Sequence, residues 1–89
     1  MIMNDQEIIE AINAALVEEF ELDIEEMVPE ANLFLDLELD SLDMVDMVIV
    51  LEQTFKIKVR DEKAIRKIRT LEDLHNFVIN KKRETEKNA

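Results

Sequence analysis

The sequence predicts an all-α fold, a small bundle of three main helices plus one short helix, with a long loop between helices one and two. Apolar residues recur at three- and four-residue steps in separate segments, as on amphipathic helices. The 89 residues include no Gly and a single Pro, Pro29, whereas the hairpins of a β-sandwich or barrel need residues that tolerate positive φ. A chain of this length supports one domain with a modest core.

The first helix is expected over about residues 5–20. Asn4 or Asp5 is suited to the N-cap position, because both side chains accept hydrogen bonds from free backbone N–H groups. The apolar positions of this segment share one helical face: Ile8, Ile12, Ala15, Leu16 and Phe20.

Residues 21–39 follow a different pattern. Pro29 interrupts any helix there, and four leucines then alternate with other residues: Leu33, Leu35, Leu37 and Leu39. Such alternation is typical of a half-buried strand, but the only candidate partner is the short segment 57–59, and a single strand leaves its backbone hydrogen bonds unsatisfied. We therefore expect an extended loop whose leucines fix it across the helices.

The second helix is expected from Asp40 to about Phe55. Asp40 occupies the N-cap position and Asp43 follows three residues later, the spacing at which two side chains can cap reciprocally. Residues 61–68 predict a short third helix capped by Asp61.

The fourth helix is expected to start at Thr70, with Asp73 completing a variant of the capping box. Residues 81–89 are highly charged and lack apolar periodicity. The sequence therefore predicts a helical domain over residues 1–80 and a disordered tail over residues 81–89.

The charge is unevenly distributed along the chain. Residues 1–55 contain 16 acidic side chains and no Lys or Arg, and the whole chain has a net charge of −11. An acidic segment of this kind repels the phosphate groups of a nucleic acid, so nucleic acid is not an expected partner. It would attract basic partners instead, although acidity can also serve solubility alone.

Few side chains are suited to catalysis, since the chain has no Cys, Trp, Tyr or Gly and one His, His75. We expect a carrier or binding protein without enzymatic activity. No apolar run approaches the roughly 20 residues that span a bilayer, and the first residues carry acids where a secretory signal carries bases. A monomer in the cytoplasm is expected.

The second helix has two apolar stripes. Met44, Met47, Val48, Leu51 and Phe55 form one stripe, which is wide enough to face the core. Leu42, Val45 and Ile49 form another, flanked by carboxylates at Asp43, Asp46 and Glu52. The second stripe is either a docking ridge for a partner with an apolar groove and a basic rim, or the mark of a helix buried on all sides.

Ser41 stands at the start of this helix, where a serine usually has only a structural, capping role. The stretch Leu33-Phe34-Leu35-Asp36-Leu37-Glu38-Leu39-Asp40-Ser41-Leu42-Asp43-Met44-Val45-Asp46, together with 51–59 and 70–74, resembles the attachment region and later helices of acyl carrier proteins. The resemblance covers about residues 5–80.

This resemblance implies a role for Ser41. It would bear a 4′-phosphopantetheine group, transferred from coenzyme A by a phosphopantetheinyl transferase, with Asp40 and Leu42 beside it in the attachment motif. The thiol of the group would hold acyl intermediates as thioesters for fatty-acid, lipid or polyketide-type biosynthesis. Acyl-transferring and condensing enzymes with basic patches would dock on Leu42, Asp43, Val45, Asp46, Ile49 and Glu52. The acyl chain would lie against Met44, Met47, Val48 and Leu51.

The chain departs from the family pattern in two places. Glu38 stands where the family usually has glycine, so a backbone with positive φ there would be strained. The segment from Lys56 to Arg69 is basic, which suggests a specialised member rather than a carrier of general fatty-acid synthesis.

Two other functions remain open: an aminoacyl or peptidyl carrier, and an unmodified acidic adaptor that binds basic helices. A metal site is not expected. Asp36, Glu38 and Asp40 have the spacing of an EF-hand loop, but Ser41 replaces the required Gly and Met47 the required Glu.

Overall fold

Four α-helices follow one another in the predicted order. The structure is a computed structural model that describes residues 3–59 and 62–87. The elements are α1 (Asp5–Phe20), a 3₁₀ turn (Ile24–Glu26), α2 (Ser41–Phe55), α3 (Glu62–Arg66) and α4 (Leu71–Lys87). Within the described ranges no strand forms, so the prediction of an all-α bundle with a long first connection is confirmed.

Three of the helices begin with the caps that their sequences favour. At α1 the cap is Asn4, whose side chain accepts a hydrogen bond from the N–H of Glu7 at 2.8 Å, while Glu7 accepts one from Asn4 at 3.0 Å. Thr70 and Asp73 make the same reciprocal pair at α4. Asp40 and Asp43 make it at α2. The predicted cap of α3, Asp61, lies outside the described residues.

The core lies where α1 packs against both α2 and α4. Each of these helices contributes one apolar face, as the periodicity predicted. Fully burying such side chains stabilises a fold by about 1.5–3 kcal/mol each. The buried apolar residues on the three helices are Ile8, Ile12 and Leu16, then Met44, Met47, Leu51 and Phe55, then Leu71, Leu74 and Val78. No helix within the described part of the chain is long and apolar enough to cross a membrane.

The loop between α1 and α2 is bound to the start of α4. The N–H of Leu33 donates to the carbonyl of Arg69 at 2.9 Å, and the N–H of Leu71 donates to that of Ala31 at 2.9 Å. These bonds form an isolated antiparallel bridge at Asn32 and Thr70. The loop therefore forms backbone hydrogen bonds with the start of α4. The sequence pattern had indicated residues 57–59 as the only candidate partner.

One leucine of the alternating series is placed wrongly by the prediction. Leu33, Leu37 and Leu39 are buried, but Leu35 is 80% exposed. The side chain of Asn32 accepts hydrogen bonds from the N–H groups of Phe34 and Leu35, both at 2.9 Å. The resulting turn gives buried residues a four-residue spacing at this point, so strict alternation fails at Leu35.

The helix α4 continues past Asn80, where the sequence predicted a disordered tail, and ends at Lys87. That prediction is wrong as far as Lys87. The guanidinium of Arg83 pairs with Asp5 and donates to the carbonyl of Met3 at 3.0 Å, and Lys81 pairs with Glu84 at 3.7 Å. Charged side chains thus support this part of the helix against α1, without the apolar periodicity on which the prediction relied.

Candidate functional site

Ser41 is the first residue of α2 and the only serine in the chain. The capping role that a serine usually has at this position belongs to Asp40. Its carboxylate accepts from the N–H of Asp43 at 2.9 Å, and that of Asp43 accepts from the N–H of Asp40 at 3.1 Å. Ser41 is exposed, and its hydroxyl has no hydrogen-bond partner among the described residues. The hydroxyl is therefore accessible and has no structural role of its own.

A groove of about 940 Å³ opens beside Ser41, between α2 on one side and the segment containing α3 on the other. Its walls are mainly apolar, with two arginines and one glutamate among them. The residues that line it with Ser41 are Phe34, Met44, Val45, Val48, Ile49, Glu52, Val59, Ile65, Arg66 and Arg69. An apolar groove that a reactive hydroxyl adjoins can receive a chain attached at that hydroxyl.

The four residues expected along an acyl chain separate into two pairs. Met44 and Val48 line the groove. Met47 and Leu51 do not; they lie in the buried core, to which Met44 also belongs. Sequence spacing placed the four residues on one stripe, but it could not show which of them line the groove and which lie only in the core.

Five groove residues were missing from the predicted site: Phe34, Val59, Ile65, Arg66 and Arg69. They come from the loop before α2 and from the segment after it, so no local spacing connects them to Ser41. The basic character of the second segment was the one available signal for the two arginines.

The second apolar stripe of α2 faces outward. Leu42 is 77% exposed, Val45 58% and Ile49 47%, which excludes the alternative that α2 is buried on all sides. Asp46 is exposed as well, whereas Asp43 and Glu52 are half-buried. The carboxylate of Glu52 accepts a hydrogen bond from the N–H of Val59 at 3.1 Å. Val45 and Ile49 line the groove too, so the ridge and the groove share one edge.

Carboxylates also surround the other side of the α2 N-terminus. A hollow of about 490 Å³ there is lined by six of them: Glu21, Asp23, Glu26, Asp36, Glu38 and Asp43. No group of three or more His, Cys, Asp or Glu residues in the described part of the chain is arranged to hold a metal ion. The start of α2 is therefore strongly negative on this side.

Glu38, three residues before Ser41, has a φ of 57°. The strain expected from a residue other than glycine at this position is therefore present. Left-handed backbone costs a residue with a Cβ about 1–2 kcal/mol.

His75 lies away from this site, on α4, and is buried against α1. Its Nε2 is 2.8 Å from Oδ1 of Asn13. Burial lowers the pKa of the imidazole from its ordinary value of 6.5, because a charged ring would lose its hydration there. A neutral ring that donates to Asn13 connects α1 to α4 and has no access to Ser41.

Comparison with known proteins was made by sequence and by structure. The family model described as "Phosphopantetheine attachment site" matches residues 10–78. An acyl carrier protein of Thermosynechococcus vestitus is 39% identical over 79 residues, which are 89% of this chain and 96% of that protein. One of Helicobacter hepaticus is 39% identical over 69 residues, or 78% and 90% of the two chains.

A solved structure gives the same result for the fold. The crystal structure of an acyl carrier protein from Thermotoga maritima matches with a TM-score of 0.77 at 32% identity, covering 93% of this chain and 95% of that one. The match with the attachment-site family covers most of the chain, and the similarity to these relatives extends over nearly their whole length. The chain therefore belongs to the acyl carrier protein family, whose cofactor is a covalently attached 4′-phosphopantetheine.

Proposed function

We propose that Ser41 bears the 4′-phosphopantetheine group and that the protein carries acyl intermediates on it without catalysing a reaction of its own. The observation that carries this proposal is the exposed, unpartnered hydroxyl of the only serine, next to an apolar groove. The residues fit the group: the oxygen can be reached from solvent, and the groove can shelter what is attached to it. When attached, the group supplies a terminal thiol on which an acyl chain is held as a thioester.

The N-terminus of α2 suits a phosphodiester in a second way. The N–H groups of Ser41 and Leu42 have no protein partner among the described residues, and the helix dipole favours negative charge at this end. Asp40 holds the first turn in place through its reciprocal bonds with Asp43. Since His75 is buried against α1, the base that activates the Ser41 hydroxyl during attachment would come from the transferase.

We assign the groove to the acyl chain. Met44 and Val48 line it directly, and Met47 and Leu51 lie in the core. Methionine side chains adapt to cavities of different filling, which suits a site that is empty in one state and occupied in another. The lining favours an acyl chain over an aminoacyl group, because most of its side chains are apolar.

The exposed ridge of α2 is the proposed docking surface for the transferase and for acyl-transferring and condensing enzymes. Leu42, Val45 and Ile49 supply apolar contact area, and Asp46 is the exposed carboxylate among them. Asp43 and Glu52 are half-buried and hydrogen-bonded within the chain, so they contribute charge more than direct contacts. Partners with basic patches match this surface.

We further propose that the protein serves a specialised pathway of fatty-acid, lipid or polyketide-type biosynthesis. The support is the basic segment after α2, where Lys56, Lys58, Lys63, Arg66 and Lys67 are all exposed. A basic face next to an acidic ridge restricts the partners whose charges are complementary to both.

The test uses the apo-protein, coenzyme A and a broad-specificity phosphopantetheinyl transferase, followed by intact-mass measurement. We expect one added group on the wild type, none on Ser41→Ala, and one on Thr54→Ala. Thr54 is a matched control because its hydroxyl is exposed on the same helix. No mass gain on the wild type would favour an unmodified adaptor. The masses of the thioesters isolated from the native host would separate acyl from aminoacyl cargo.

A further inference from the structure

Carboxylates around the proposed attachment point oppose the favourable effect that the free N–H groups and the dipole of α2 have on an anion there. Asp40 directly precedes Ser41, and Asp43, two residues after it, lines the hollow on the far side of the α2 N-terminus together with five other carboxylates. Residues 1–55 contain no Lys or Arg that could offset them. A phosphodiester on Ser41 adds another negative charge to this region, so its free energy depends on any cation within reach.

Two arginines share the groove with Ser41, and they are its only cationic lining residues in the described part of the chain. Backbone hydrogen bonds connect Arg69 to the same region. The carbonyl of Arg69 accepts from the N–H of Leu33 at 2.9 Å, and the carbonyl of Leu33 accepts from the N–H of Leu39 at 3.0 Å. Leu39 is two residues before Ser41, so the segment that bears Arg69 is fixed beside the start of α2.

Both guanidinium groups have donors available. Nη1 of Arg69 donates to the carbonyl of Arg66, the last residue of α3, and to that of Ile68 beyond it. This leaves Nε and Nη2 of Arg69 without a hydrogen-bond partner in the described residues. Asp73 lies in the field of Arg69 and offsets part of its charge. The guanidinium of Arg66 is exposed and has no partner among the described residues. Guanidinium groups are well matched to phosphate oxygens, which they bind with two parallel hydrogen bonds.

We propose that Arg66 and Arg69 bind the phosphodiester of the arm and hold its first atoms along the α2–α3 groove. This inference rests on Ser41 as the attachment residue. It gives the basic segment a role within the carrier itself. The alternative is that the two arginines bind an acidic patch on a partner enzyme. In that case, replacing them should change the melting temperatures of the apo and holo forms equally.

The experiment compares apo and holo forms of the wild type, Arg66→Gln and Lys67→Gln by thermal unfolding at low salt. Lys67 is the matched control, because it is exposed on the same segment but does not line the groove. We expect Arg66→Gln to lower the melting temperature of the holo form by about 2–5 °C more than that of the apo form, as for a single exposed ion pair. Lys67→Gln should change the melting temperatures of the apo and holo forms by the same amount.

Nuclear magnetic resonance gives a second readout. The Nε–H resonance of Arg66 should shift when the arm is attached, and the ³¹P resonance of the arm should shift in Arg66→Gln. Arg69→Gln should give the same ³¹P change, with far-UV circular dichroism confirming that α3 is retained. Equal thermal effects in apo and holo forms, together with unchanged ³¹P resonances, would overturn the proposal. Because the holo forms are verified by mass first, that result would leave the assignment of Ser41 intact.

Discussion

Replacing Glu38 with glycine should stabilise the protein. Glu38 has a φ of 57°, a conformation that costs a residue with a Cβ about 1–2 kcal/mol. Glycine removes this cost but increases the entropy of the unfolded chain, which takes back about 0.4–1 kcal/mol. The net gain in the free energy of unfolding is therefore about 0–1.6 kcal/mol, and its midpoint of about 0.8 kcal/mol raises the melting temperature of a domain of this size by about 3–6 °C.

The charge of Glu38 must be separated from its backbone conformation. Its carboxylate lines a hollow with five others, so removing it also relieves repulsion. Glu38→Ala removes the same charge and keeps the Cβ, and it is therefore the matched control. Urea unfolding of the apo forms, followed by circular dichroism, measures all three proteins. If Glu38→Gly is no more stable than Glu38→Ala, the argument from backbone strain is wrong.

Two further predictions concern His75 and the ridge. Because burial lowers the pKa of His75 below 6.5, the unfolded chain takes up a proton before the folded one, and stability should fall as the pH decreases below 6.5. Urea unfolding at several pH values from 7.5 to 5 gives the free energy of unfolding as a function of pH. This free energy should fall less steeply with decreasing pH for His75→Gln than for the wild type. An unchanged pH dependence would contradict the lowered pKa of His75. Asp46→Lys should slow association with the transferase, and this decrease in rate should be smaller at high salt. The melting temperature should change little. A large loss of thermal stability would show that Asp46 has a structural role.

The elements that depend on local chemistry could be predicted from the sequence. The apolar spacing of α1, α2 and α4 and the polar residues before them determined the helices and their starts, since both effects operate within one or two turns. The second apolar stripe at Leu42, Val45 and Ile49 could be recognised for the same reason, but the sequence left open whether it faces outward. The strain at Glu38 followed from the absence of a glycine where the related pattern has one.

Features that depend on contacts between distant segments could not be predicted. The last turns of α4 are supported by Arg83, which reaches Asp5. Phe34 and Ile65 line the same groove but come from segments that are far apart in the sequence, which hydrogen bonds between the loop and residues 69–71 hold near each other. In each case the deciding contact joins residues whose proximity local periodicity does not encode. Leu35 is a separate case, because the Asn32 turn that exposes it is local but breaks the alternation of the leucines.

The hydrogen bond between Glu52 and the amide of Val59 has a consequence for how partners and cargo affect each other. A lysine of a partner protein that paired with this carboxylate would leave the amide of Val59 without its hydrogen bond, and the groove wall at Val59 would be held less firmly. Docking of a partner on the ridge would then favour release of a chain held in the groove, because both depend on the same carboxylate.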